Sequence, residues 1–161
     1  MVGPTASGKT ALAVALCAEH DGEIVSADSV QVYRHFDIGS GKPSAAERAR
    51  TQQHLIDMVE PDEPIDAARF TELAELAIAD IRRRGKRPIV CGGTFLWLRA
   101  LIHGLVPAPP ADAALRARHQ ARVAEVGRSG LHADLARVDV EAARRLAPND
   151  FVRVSRALEV H

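Results

Sequence analysis

The sequence predicts an α/β fold, a parallel sheet flanked by helices and followed by a helical insertion. Three observations carry that prediction. Gly3 to Thr10 reads GPTASGKT, a complete G-x-x-x-x-G-K-[ST] loop, and helix-forming residues follow it at once. Two short apolar runs, EIVSADS and RPIVCGG, alternate with helical segments, the order that builds parallel sheets with helices on their faces. VPAPPAD then interrupts the alternation with three prolines, and no strand pattern returns beyond it.

The elements follow in order. KTALAVALCAEH, rich in Ala and Leu, reads as a helix starting near Gly8. Glu23 to Ser29 starts β-branched and ends polar, a strand with a functional tip. QVYRHFDIGSGKPS is loop-like, punctuated by Gly39, Gly41 and Pro43. From Ala67 to Arg84, Phe70, Leu73, Ala74, Ala77, Ile78 and Ile81 recur at helical spacing, and Gly85 stops that helix after an Arg-rich last turn. RPIVCGG is a second buried strand. TFLWLRALIHGL is a helix whose apolar stripe, Trp97 included, reads as core. Residues 1–106 therefore form a P-loop NTPase-like α/β core, residues 107–148 a subdomain of short helices, and residues 149–161 a helix returning to the core.

The composition suits a folded domain: 161 residues, 47% hydrophobic and 26% charged. Lys+Arg equals Asp+Glu at 21 each, so bulk charge gives no sign of a nucleic-acid partner. Cys17 and Cys91 have neither metal-ligand spacing nor a disulfide framework and are expected reduced and buried, which fits a reducing cytoplasm. No apolar run approaches the length of a membrane span.

In the loop, Gly3 and Gly8 let the backbone curl so that successive N–H groups point inward, and the following helix adds its positive end. Lys9 supplies a mobile charge for phosphate oxygens, and the Thr10 hydroxyl is the expected Mg²⁺ ligand. The loop alone does not distinguish ATP from a simple diphosphate. Asp28, at a strand end, fits a metal-binding carboxylate, a general base beside the phosphates, or an Asp that caps its own loop. Ser29 and Gln31 suit a base edge or water, and Tyr33 and Arg34 suit base stacking or the fold. Thr94, after Gly92 and Gly93, offers a hydroxyl to the same crevice or an N-cap to the next helix. In parallel sheets the crevice lies at the carboxyl ends of the strands, where the loop, Asp28 and Gly92–Thr94 all fall. His54 and Asp57 form either a site pair or two structural groups. The arginines of the insertion, Arg116 among them, mostly read as solvated helix faces.

Taken together, GPTASGKT, SADSVQVYRHFDIGSGKPS, QHLIDMVEPDE, CGGTFLWLRALIHGL and APNDFVRVSRALEV resemble the tRNA dimethylallyltransferases, also called tRNA isopentenyltransferases. The segments occur in family order and cover nearly the whole chain. The resemblance implies transfer of a dimethylallyl group from dimethylallyl diphosphate to N6 of the adenosine 3′-adjacent to the tRNA anticodon. It implies that the loop residues Gly3, Pro4, Thr5, Ala6, Ser7, Gly8, Lys9 and Thr10 hold the leaving diphosphate with Mg²⁺ on Thr10, and that Asp28, Lys9 and Thr94 are catalytic. It also implies contacts to the anticodon stem-loop from Asp28, Ser29, Val30, Gln31, Thr94, Arg116, Val152, Arg153, Val154, Ser155 and Arg156, and a cytoplasmic monomer. Val152 stands where a Gln is common, Ala147 where a His is usual and Gly41 where an Ala is usual. Family members carry an apolar strand before the loop and a C-terminal half after SRALEV, so the resemblance implies a chain shortened at both ends.

Three other readings share some of these features. An ATP-dependent small-molecule kinase explains the loop and Asp28 but not DS-x-Q-V-Y-R or R-x-SRALEV. An adenylate isopentenyltransferase shares the loop and the Asp, but a free nucleotide needs no helical clamp. An inactive remnant that still binds diphosphate or RNA is the third.

Overall fold

A computed structural model describes residues 1–4 and 6–161. They divide into two compact units, Met1–Leu105 and Val106–His161. No helix among the described residues is long and apolar enough to cross a membrane.

The first unit is built on a three-stranded parallel sheet of order β2-β1-β3. β1 (Gly22–Ala27) pairs along its length with β3 (Arg87–Gly92), from Gly22 opposite Arg87 to Ala27 opposite Gly92. β2 (Gln53–His54) lies on the other side of β1, with Ile24 opposite Gln53. Val2 makes one parallel bridge to Gly92, and the Met1 amino group donates to the Val90 carbonyl at 2.6 Å. This is the parallel α/β class the sequence predicts.

Alternation along β1 divides its side chains between the two faces of the sheet. Ile24 packs with Ala13 and Cys17 of α1 (Lys9–His20) and with Cys91. Val25 and Ala27 face the opposite core, formed with α3 (Ala67–Arg83) and α4 (Phe95–His103). There Phe70 stacks on Trp97 with ring centroids 4.6 Å apart, so Trp97 is core, as its stripe predicts. Both cysteines are free and buried.

Two short elements appear that hydrophobic periodicity does not announce. α2 (Ala45–Arg50) has no buried residue and rests on a capping box: the Ser44 side chain accepts the Glu47 N–H, and the Glu47 carboxylate accepts the Ser44 N–H. β2 has only two residues. His54 and Asp57 do not pair. His54 meets the buried Glu23 at 2.7 Å, whereas Asp57 takes Lys42 at 2.6 Å and Arg48 at 2.8 Å.

The second unit contains α5 (Ala113–Val138), α6 (Val140–Arg145) and α7 (Phe151–Val160) around Leu131, Leu135, Ala142, Ala143 and Val154. α5 breaks at Gly127, whose φ of 74° and ψ of 171° are not helical, so this unit is a set of short helical pieces, as its sequence reads. α7, separated from the insertion in the sequence reading, packs inside this unit: Val154 is 1% exposed in the same core as Leu131 and Leu135.

Candidate functional site

The phosphate loop ends at Gly8, the N-cap of α1, with φ of 78°. That left-handed conformation favours glycine, and the cap position carries no side-chain hydrogen bond. Among the described residues no side chain accepts from the first-turn N–H groups of α1, which is the arrangement that receives an anion. The Lys9 ammonium folds back to donate to the Pro4 carbonyl. Thr5 lies outside the described residues.

Gly92 is required by close approach. A Cβ there would overlap the Ala27 carbonyl across the sheet, whereas a Cβ on Gly93 would meet the Gly3 carbonyl oxygen at an ordinary 3.5 Å. The chain then turns into α4 at Thr94. The Thr94 hydroxyl makes no cap bond to α4 and instead accepts the Ser29 N–H at 3.0 Å. Thr94 thus ties the segment after β3 to the segment after β1.

Asp28 uses one carboxylate oxygen locally: Oδ1 accepts the N–H groups of Val30 at 2.9 Å and Gln31 at 3.2 Å. This is the loop-capping role open to it in sequence, and it occupies half of the carboxylate. Oδ2 has no hydrogen-bond partner among the described residues. Gln31 is fixed by donating Nε2 to the Gly41 carbonyl at 2.8 Å.

Two clefts meet at Asp28. The first, about 470 Å³, is lined by Ala6 to Ala11, Ile24, Ser26, Gln31, Gln53 and Cys91–Gly93. The second, about 390 Å³, is lined by Gly3, Pro4, Ser29, Val30, Gly39 and Thr94. Asp28, Ser40 and Gly93 belong to both. The first cleft joins the backbone at the start of α1 to a small apolar floor, and the second is bounded by loop backbone and hydroxyls.

For Mg²⁺, the first cleft presents the Thr10 hydroxyl and the Asp28 carboxylate. No cluster of three or more His, Cys, Asp or Glu side chains suited to a metal occurs among the described residues. Ser40 Oγ and Gln53 Nε2 are buried without a hydrogen-bond partner among those residues, and both belong to the lining of this cleft. The Thr10 hydroxyl and the Asp28 carboxylate fit Mg²⁺, which is usually held by one or two protein oxygen groups with phosphate oxygens and waters completing its shell.

The remaining candidates lie in the second unit. Arg116 Nε donates to Glu159 Oε1 at 2.6 Å, and Arg156 Nη1 donates to Glu159 Oε2 at 2.8 Å. Arg153 and Val152 are each 75% exposed, the arginine paired with Asp150. Val154 and Ser155 are buried: Val154 fills the unit's core, and Ser155 Oγ lies 2.9 Å from His119 Nδ1. Their side chains serve the unit itself, so the accessible members of 152–156 are Val152, Arg153 and Arg156. Sequence reasoning missed Glu159, because one of its two partners, Arg116, lies on another helix and only the fold reveals its burial.

Known proteins resemble this chain in sequence and in shape. The family model described as IPP transferase matches residues 31–161. A tRNA dimethylallyltransferase of Sorangium cellulosum (strain So ce56) is 65% identical over 161 residues, covering 100% of this chain and 51% of that protein. One from Anaeromyxobacter sp. (strain Fw109-5) is 60% identical over 160 residues, covering 99% and 53%. Among solved structures, a eukaryotic dimethylallyltransferase acting on tRNA aligns with a TM-score of 0.81 at 32% identity, over 99% of this chain and 40% of that one. The full-length tRNA isopentenylpyrophosphate transferase of Bacillus halodurans aligns with a TM-score of 0.64 at 42% identity, over 99% of this chain and 53% of that one. The chain spans about half the length of the curated relatives it matches. The matched segment takes in Gln31, Thr94, the arginine-rich unit and α7, and on that evidence of sequence and shape the chain belongs to the IPP transferase family.

Proposed function

We propose that this chain carries the dimethylallyl-transfer site of a tRNA-modifying enzyme, moving the group from dimethylallyl diphosphate to N6 of the adenosine 3′-adjacent to the anticodon. The observation that carries this reading is Asp28 on the wall shared by two clefts, one floored by the phosphate loop and one bounded by Ser29, Val30 and Thr94. A two-substrate transfer needs its proton acceptor at such a junction.

In the proposed reaction the N6 lone pair forms a bond to C1 of the dimethylallyl group as the C1–O bond breaks. Negative charge collects on the departing diphosphate. The first-turn N–H groups of α1 and the Lys9 ammonium, released from Pro4, stabilise that charge. Mg²⁺, when bound, neutralises further charge on the diphosphate, and Thr10 is the residue that would hold it. The Asp28 oxygen left free by the local cap accepts the N6 proton. Thr94 keeps the 28–31 segment in place, and Gln31, locked to Gly41, lines the first cleft beside Asp28. The adenine must leave its stack to enter the second cleft. In the second unit, Arg116, Arg153 and Arg156 suit RNA phosphates, since a guanidinium presents a fixed fork of donors. The same reading makes the protein a cytoplasmic monomer.

The test is incubation of the chain with dimethylallyl diphosphate, Mg²⁺ and an anticodon stem-loop, with mass spectrometry of the RNA. The expected result is one dimethylallyl group on the target adenosine, lost in Asp28→Ala. Thermal stabilisation by a non-hydrolysable ATP analogue and not by the thio-analogue of the allylic diphosphate would replace this reading with a kinase.

A further inference from the structure

Glu159 is a carboxylate that a phosphate-binding surface has no evident reason to keep. Its side chain is 1% exposed, and both oxygens are taken by arginines. Arg116 comes from the first turn of α5, where its N–H bonds to the Asp112 carbonyl at 3.0 Å. Arg156 comes from α7 on the same element as Glu159, and its Nη2 also donates to the Pro109 carbonyl at 2.7 Å. The two guanidiniums, from segments 40 residues apart in sequence, are thus fastened to one buried anion. Each remains open to solvent on its other side, 52% exposed for Arg116 and 35% for Arg156.

We infer that Glu159 is a positioning residue that presents Arg116 and Arg156 as a preformed pair of phosphate donors to the RNA backbone. The inference rests on the proposed tRNA-modifying function and deepens it. Arg116 engages Glu159 through Nε, and its two Nη groups have no hydrogen-bond partner among the described residues, which leaves them available to a phosphate. Arg156 spends one N–H on the carboxylate and one on Pro109, and keeps the rest. An unrestrained arginine loses rotamer freedom when it binds; one already fastened has less to lose. Glu159 itself stays ionised at neutral pH: burial works to raise its pKa, but the hydrogen bonds from Arg116 and Arg156 outweigh burial and hold it below the ordinary carboxylate range. This role makes an unusual demand. On charge alone, removing a carboxylate beside two arginines strengthens phosphate binding. On positioning, it weakens it.

The test is fluorescence anisotropy of a labelled anticodon stem-loop against the 161-residue chain, from about 50 to about 200 mM salt. Glu159→Gln keeps the shape and removes the charge. Its affinity is expected to fall about tenfold, a loss on the scale of one or two lost phosphate contacts. In an Arg116→Gln/Arg156→Gln background the same substitution is expected to cost nothing further. Equal or tighter binding by Glu159→Gln overturns the positioning role, and so does an equal loss in both backgrounds, which marks a purely structural ion pair. If Glu159→Gln does not melt cooperatively, Glu159→Asp keeps the charge and shortens the reach. It is then expected to weaken binding at least about threefold, and unchanged affinity overturns the proposal. A wild-type chain that does not bind the stem-loop overturns the tRNA reading and the positioning role together. Wild-type binding with an unaffected Glu159→Gln overturns the positioning role alone.

Discussion

The Thr94 hydroxyl accepts the Ser29 backbone N–H at 3.0 Å, a bond between residues 65 apart in sequence that joins the ends of two neighbouring strands. It holds the segment carrying Asp28 against the segment that starts α4. Thr94→Val removes the acceptor at nearly constant volume and is expected to cost about 1 kcal/mol of stability. It should lower turnover in the proposed transfer about ten- to hundredfold through misplacement of the 28–31 segment. Thr94→Ser keeps the hydroxyl and should retain most of the activity. Steady-state kinetics of the two variants check this, and equal loss in both would mean the methyl group matters rather than the hydroxyl.

Adjacent glycines should respond very differently to the same methyl group. Gly92→Ala drives a Cβ into the Ala27 carbonyl, backbone against backbone, and is expected to cost at least about 2 kcal/mol with loss of diphosphate binding. Gly93→Ala meets only the Gly3 carbonyl oxygen at 3.5 Å and should change stability by less than about 1 kcal/mol. Chemical denaturation of both proteins decides it.

Glu23 makes the stability of the first unit sensitive to acid. The Arg84 hydrogen bond, against the opposing effect of burial and with help from His54 and Lys86, lowers its pKa from 4.5 to about 2. A carboxylate whose folded pKa is depressed contributes stability that is fully present above its unfolded value and disappears as pH falls through the folded value. The contribution is therefore lost between about pH 4.5 and about pH 2. Melting temperatures of wild type and Glu23→Gln should converge across that window on acidification. Parallel curves would mean that Glu23 has no such shift.

Lys42 is a nearly buried cation, its side chain 4% exposed, that bridges Asp57 at 2.6 Å and Asp37 at 3.0 Å. Asp57 also donates its backbone N–H to the Gln31 carbonyl at 3.2 Å, so this cluster supports the loop whose Gly41 carbonyl fixes Gln31. Lys42→Met should destabilise the chain by about 2 kcal/mol, a broken buried pair moderated because Arg48 still serves Asp57. Limited proteolysis should then cut within residues 37–42. Protection equal to wild type would show that the loop stands without the lysine.

The sequence made legible those parts of the molecule that have a period or a punctuation mark. α1, α3 and α4 show helical spacing, β1 and β3 are β-branched or apolar runs, and Gly8, Gly85 and Gly92 mark their limits. The S-x-x-E of Ser44–Glu47 was the available signal for α2, whose six residues bury nothing and so show no periodicity. β2 is too short to carry a pattern at all. In the site, Asp28 and Thr94 stand at strand ends, where chemistry is expected. Their division of labour was not visible, because Thr94 chooses a distant backbone N–H over its own helix. Buried charges were illegible for the same reason: Glu23 and Glu159 look like any surface acid until Arg84 and Arg116 are folded against them.

The in-register pairing of β1 with β3 also bears on how the chain emerges from a ribosome. Gly22 must wait for Arg87 before its neighbour exists, and Ala27 for Gly92. Until then a nascent chain carries the whole phosphate loop and Asp28 but no strand to place one beside the other. Closing so long a loop precedes any reward from the contacts it allows, which slows the search for the native pairing. The crevice that sets the loop beside Asp28 and Thr94 is thus completed only once β3 and Thr94 have cleared the exit tunnel.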